Sequence, residues 1–209
     1  MRKRKSEIFS IIKDDIINNA KAYFVVAIIF TVGVFLGVMF INQTEDKTEI
    51  EKYVNTYIDE TKNLQTPNFL SELQYDVKNN IILVLILWFA GTTIIGIPIA
   101  LGIILFRGFC LGYTIASCVV TLGRVKAIIF VFITMFLQNI IFIPVLMILG
   151  VSSIKLYKSI IKDRRKENIK VSIMKHSIIS LISLFILILA SILKVEVSYR
   201  ILVNLIKYF

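Results

Sequence analysis

Long uncharged runs decide what this chain can become. Ala22–Ile41, Ile81–Phe106, Gly108–Gly123, Ala127–Gly150 and Ser177–Leu193 contain no Asp, Glu, Lys or Arg. Several of them exceed the roughly 18 apolar residues that mark a membrane-spanning helix. Composition agrees, with 57% apolar and only 18% charged residues, unlike a water-soluble domain of 209 residues. The expected fold class is all-α: a polytopic membrane helix bundle of about five transmembrane helices, with amphipathic helices beside it. Residues 1–209 read as a single integral membrane domain.

The net charge of +10 raises nucleic acid as a partner, but the bases cluster beside hydrophobic spans without aromatic interleaving. They read as topology signals facing anionic membrane lipids, and no nucleic acid is expected. Residues 1–21 start MRKRK and place Ile8, Ile11, Ile12 and Ile16 near helical spacing, as in a cytoplasmic amphipathic helix on the inner leaflet. The following span has no small-residue cleavage site, so it is not a signal peptide. Residues 151–175 form the second basic cytoplasmic segment. Counting bases near span ends puts the N-terminus inside and 42–80 outside. It then puts Arg107 inside, Arg124 and Lys126 outside, 155–175 inside and the C-terminus outside.

Residues 42–80 carry eight acids against four bases. Thr48-Glu49-Ile50-Glu51 has the capping-box pattern that starts a helix. Ile50, Tyr53, Val54, Tyr57 and Ile58 then recur at i, i+3, i+4, i+7 and i+8, giving an apolar face outside the membrane. That face either binds a partner or covers the top of the bundle. Thr66-Pro67 ends this helix and opens the next.

Inside the spans, Gly33 and Gly37 form one GxxxG pair, and Gly108 and Gly112 a second. Such pairs let backbones approach closely, within a chain or in a homodimer. Pro98 should kink the 81–106 span. Arg107 sits between two uncharged runs and reads as closing a hairpin with almost no loop, its guanidinium reaching the cytoplasmic headgroups. The stretch after it, 108–122, is then a short span or a re-entrant one. Gln138 and Asn139 lie near the middle of the next span, with Pro144 beyond them. Amides in hydrocarbon need partners, so they either bond helix to helix or line a polar cavity. Cys110 and Cys118 are about 12 Å apart along one helix, too far for a disulfide. The lone His176 reads as an interfacial side chain without a second metal ligand.

No HExxH, GxSxG or glycine-rich phosphate loop is present, and no acid falls inside the uncharged spans. The expectation is no enzyme, no catalytic residues, no cofactor and no metal. A small-solute or lipid transporter or channel subunit is the alternative, from the interrupted spans and the Gln138-Asn139 pair.

Arg107-Gly108, Gly112-Tyr113-Thr114, Gln138-Asn139, Pro144 and the IIGIP stretch at 94–98 form an ordered set. Together with the single external segment after the first span, this set resembles the stage II sporulation protein M family over nearly the whole chain. One departure is Leu137, where the family often has proline before Gln-Asn. The resemblance implies a multi-pass membrane protein acting in the mother-cell septal membrane during forespore engulfment. It implies a scaffold that anchors a peptidoglycan remodelling complex with stage II sporulation proteins P and D. Those partners would carry the hydrolytic chemistry, amidase with endopeptidase activity and lytic transglycosylase activity.

Overall fold

The computed structural model describes residues 13–63, 69–93, 96–162 and 169–198, and among these there is no strand. Helix α1 spans Ala20–Gln43, α2 Thr48–Asn63, α3 Phe69–Thr92 and α4 Gly96–Leu122. Helix α5 spans Arg124–Val131 and passes through a π-helical segment, Phe132–Phe136, into α6, Leu137–Lys162. Helix α7 spans Ile169–Leu193 and ends in a π-helical turn, Lys194–Ser198. Five helices are long and apolar enough to cross a membrane: α1, Leu70–Thr92 of α3, α4, Gln138–Ile161 of α6, and Ile169–Glu196. Residues 1–12, with Ile8, Ile11 and Ile12, lie outside the described residues, as do Thr66-Pro67 and the tail 199–209.

The number of spans is the expected one, but the second and third are divided differently. Arg107 closes no hairpin: α4 runs through it without a break. The turn falls at Thr93, where its N–H donates to the Ala90 carbonyl and the Gly96 N–H donates to the Thr93 carbonyl. Gly96 is required there, because a Cβ would lie 1.6 Å from the Ala90 oxygen. Pro98 is then the third residue of α4, in the first turn, where a missing N–H costs no helical bond. It starts a helix and kinks none. The difference has a physical source. Helix α3 begins at Phe69 with polar turns that look extramembranous, so the apolar run after Asn80 seemed to need extending to Phe106. In consequence 108–122 is neither short nor re-entrant, and 69–80 belongs to a membrane-length helix.

Helices α1 and α4 make the most extensive helix pair, and the two GxxxG pairs meet there. A Cβ on Gly33 would lie 2.1 Å from the Leu105 carbonyl oxygen, and one on Gly37 2.2 Å from that of Phe109. Conversely, Gly108 faces the Phe30 carbonyl at 2.2 Å and Gly112 that of Val34 at 2.1 Å. Backbones this close gain dispersion contacts that any side chain would forfeit. Both pairs are thus consumed within one chain, and the homodimer suggested by them loses that support. Around this pair Val26, Leu87, Ile104, Leu146, Leu149 and Leu187 form the buried core.

The surface of the bundle is apolar, and polar side chains stand among its buried residues. Phe24, Phe35, Phe89, Leu181 and Phe185 are exposed, whereas Asp76, Asn80, Ser153, Ser183 and Ser191 are buried. Water would select the reverse; hydrocarbon selects this. His176 is not interfacial. It is 1% exposed, its Nδ1 lies 2.8 Å from the Ser152 hydroxyl, and Gly91 leaves room for the ring. Trp88 packs in the bundle and donates from Nε1 to the Ser177 hydroxyl at 2.9 Å.

At one end of the bundle Asp15 accepts from Lys155 at 2.6 Å and from the Tyr23 hydroxyl at 3.1 Å. At the other end α2 lies over α4 and α5. Its start is capped by Asp46, whose carboxylate accepts from the Thr48 N–H at 3.0 Å and hydroxyl at 2.6 Å. Thr48 is the first helical residue, so the expected Thr48–Glu51 capping box is replaced by an Asp46 cap.

Candidate functional site: a charged chamber inside the bundle

Arg107 is the twelfth residue of the 27-residue helix α4, about 16 Å from one end and 22 Å from the other at 1.5 Å per residue. A charge at that depth is expensive unless protein or water surrounds it. Here it points into a space between α3, α4 and α6. The cavity is about 260 Å³ and is lined by Tyr75, Asp76 and Asn79, by Arg107, Cys110 and Thr114, and by Gln138 and Asn139, among others. The guanidinium lies over the Phe142 ring, 5.4 Å from its centroid, a cation–π contact.

Asp76 is the carboxylate of this chamber, 8% exposed, and it is committed elsewhere. It accepts from Lys194 Nζ at 2.7 Å. Next to it Asn80 donates to the Ser191 hydroxyl at 2.8 Å, so α3 and the end of α7 are joined by two polar contacts. The expectation that no acid stands within a span therefore fails. Asp76 was assigned to an external segment because the membrane span, not the helix, was started at Ile81.

A second cavity of about 280 Å³ lies toward α2. It is lined by Tyr53, Val54 and Tyr57 from α2, and shares Thr114, Met135 and Gln138 with the first. Lys194 lines this outer space, and its partner Asp76 lines the inner one. The two cavities are neighbours, separated by the side chains they share, one beneath α2 and the other at Arg107. The π-helical segment Phe132–Phe136 sits just before Gln138, and such irregularities redirect the side chains beyond them.

Sequence reasoning singled out Arg107, Gln138 and Asn139, and the structure brings them together. Gln138 and Asn139 stand just after the π-helical segment of the continuous run Arg124–Lys162 and share the chamber with Arg107. Pro144, an interior helix residue of α6, and Pro98 stay out of the chamber. The glycines Gly33, Gly37, Gly108 and Gly112 serve the α1–α4 contact. Sequence reasoning missed Asp76, Asn79 and Lys194. The i, i+3 and i+4 spacing of Asp76, Asn79 and Asn80 was the available signal for one polar face of a helix.

The proposed partner face is only partly free. Val54 and Ile58 are buried in a cluster with Cys118, Ala127, Phe130 and Ile133. Tyr57 meets Phe130 edge to face at 6.4 Å. Ile50 is half-buried, and Tyr53 is 77% exposed. The face covers the bundle, because its apolar residues gain more against α4 and α5 than against water.

Five apolar helices around a buried polar interior define a multi-pass membrane protein. Residues 26–198 match the family model described as Stage II sporulation protein M. The chain belongs to that family and is a membrane protein of sporulation. No curated protein and no solved structure matches it.

Proposed function

We propose that this protein anchors and orients a peptidoglycan-remodelling complex in the septal membrane during engulfment, without catalysing hydrolysis itself. Its partners are stage II sporulation proteins P and D. The basic end, with Lys155 and Lys158, faces the cytoplasm by the positive-inside rule, and α2 stands on the extracytoplasmic side. The observation that carries the reading is the placement of α2. It is clamped to the bundle by Val54 and Ile58, which leaves Tyr53 and the charged residues Glu49, Glu51 and Lys52 facing outward. A helix held in one orientation presents a partner surface at little ordering cost.

The test is recovery of the complex from sporulating cells with Tyr53→Asp and Lys52→Glu variants. Both should insert normally and lose proteins P and D. Tyr57 is unsuitable, since its ring packs on Phe130. Full recovery with both variants would remove α2 as the docking surface. Deleting the gene should arrest membrane migration around the forespore, visible with a membrane dye; normal engulfment would refute the reading.

The charged chamber favours a second reading, a small-solute or lipid transporter, because the π-helical break at Phe132–Phe136 stands beside a polar space, and midplane sites are built at such breaks. Flux across liposomes containing the purified protein, above that of empty liposomes, would support it.

A further inference from the structure

We propose that the chamber around Arg107 is an anion-binding site, reached from the α2 side, that takes a phosphate or carboxylate group. It would serve an anchor or a transporter alike, so it does not depend on which reading holds.

The argument begins with charge. Among the described residues, three charged side chains line the two neighbouring cavities: Arg107, Asp76 and Lys194. Asp76 and Lys194 neutralise each other at 2.7 Å. Arg107 shares the inner chamber with Asp76 but forms no ion pair with it, and the three charges sum to one positive charge. Among the described residues no carboxylate lies within ion-pair distance of it, and its guanidinium rests on the face of Phe142. A ring face recovers only part of what a desolvated guanidinium gives up. The rest must come from water or from an anion.

Shape and donors agree. A guanidinium offers a planar fork that fits carboxylate or phosphate oxygens in pairs. Gln138, Asn139 and Asn79 amides stand round the same space and can donate to further oxygens, whereas the Thr114 hydroxyl already donates to the Cys110 carbonyl at 2.8 Å. The inner cavity, about 260 Å³, has room for one such group with a few waters. The proposed way in runs past Thr114, Met135 and Gln138, which line both spaces, under Tyr53 and Tyr57. Since Lys194 is paired with Asp76, Arg107 is the cation that draws an anion along this way.

The chain carries its own reporter. Cys110 lines the inner chamber beside Arg107, and the other thiol, Cys118, lines the outer one. In Cys118→Ser proteoliposomes of phosphatidylcholine, Cys110 is modified from the α2 side with an anionic or a cationic methanethiosulfonate reagent. The anionic reagent should react faster by about tenfold, the low end of what focused fields produce. Arg107→Gln should abolish that preference, and Arg107→Lys should retain most of it, which guards against a variant that merely misfolds. Failure of Cys110 to react from this side, or equal rates for the two reagents, would overturn the proposal. Protection then separates the sources. Inorganic phosphate slowing the reaction identifies a free anion. Short-chain phosphatidylglycerol slowing it, with phosphate inert, identifies a lipid headgroup. Protection by neither, or equal protection in Arg107→Gln, would count against a binding site.

Discussion

At the scale of single residues, Arg107, Asp76 and Lys194 show how a charge becomes tolerable in an apolar helix. None is neutralised by a neighbour in sequence. Asp76 and Lys194 are 118 residues apart and meet only because α3 and the end of α7 are adjacent. Removing one partner of a buried pair leaves the other unpaired, which costs about 3 kcal/mol or more. Lys194→Met should therefore destabilise the protein in detergent by about that amount, and Asp76→Asn combined with Lys194→Met should restore part of it. A double-mutant cycle on thermal unfolding measures the coupling; additive losses would show the pair to be energetically silent.

Asp46 offers a residue-scale prediction in pH. The Thr48 hydroxyl and N–H that it accepts hold its carboxyl below the ordinary value of 3.8. A depressed carboxylate stabilises the folded cap above its unfolded pKa, and that contribution is lost as pH falls through the folded one. The first turn of α2 should thus be intact at neutral pH and fray only below about pH 3.8. Exchange of the Thr48 amide measured against pH checks this, and Asp46→Asn should flatten the profile.

At the scale of elements, the α1–α4 contact and the α2 clamp carry the arrangement. The glycines of α4 are not equivalent. Gly108 lies against the Phe30 backbone, whereas a Cβ on Gly102 would meet nothing within 4 Å. Gly108→Val should cost about 3 kcal/mol, since neither backbone can yield without separating the helices. Gly102→Ala should be neutral or stabilising, within about 1 kcal/mol. Thermal aggregation in detergent compares the two. Equal effects would mean that helix propensity, not close approach, governs α4. The GxxxG spacing announced that close contacts existed. Its partner was not legible, because glycine presents no side chain whose chemistry names what it touches.

At the scale of the whole molecule, the division of the chain between residues 69 and 122 is the point to test. With the turn at Thr93, a Thr93→Cys variant should be labelled from the side that carries Lys155. A hairpin at Arg107 would instead bury position 93 and leave it unlabelled. Cysteine-free background protein in inverted membrane vesicles, whose cytoplasmic face is outward, probed with an impermeant maleimide, separates the two.

Bulk solvation is legible in the chain before any contact is known. Uncharged runs too long for water demanded a helical membrane protein, five such helices were countable, and the asymmetry of Lys and Arg suggested an orientation. These quantities add up along the chain and need no partner. Packing alone established that the second span ends at Thr93, that the two GxxxG pairs serve each other, that Val54 and Ile58 face inward, and that Asp76 shares a chamber with Arg107 while pairing with Lys194. Each of these depends on which surfaces meet. A polar turn such as 69–80 reads as solvent-exposed until another helix is present to receive it. The same limit hid the chamber: Asp76 and Lys194 cancel across 118 residues, and no local pattern records a pairing made at that separation.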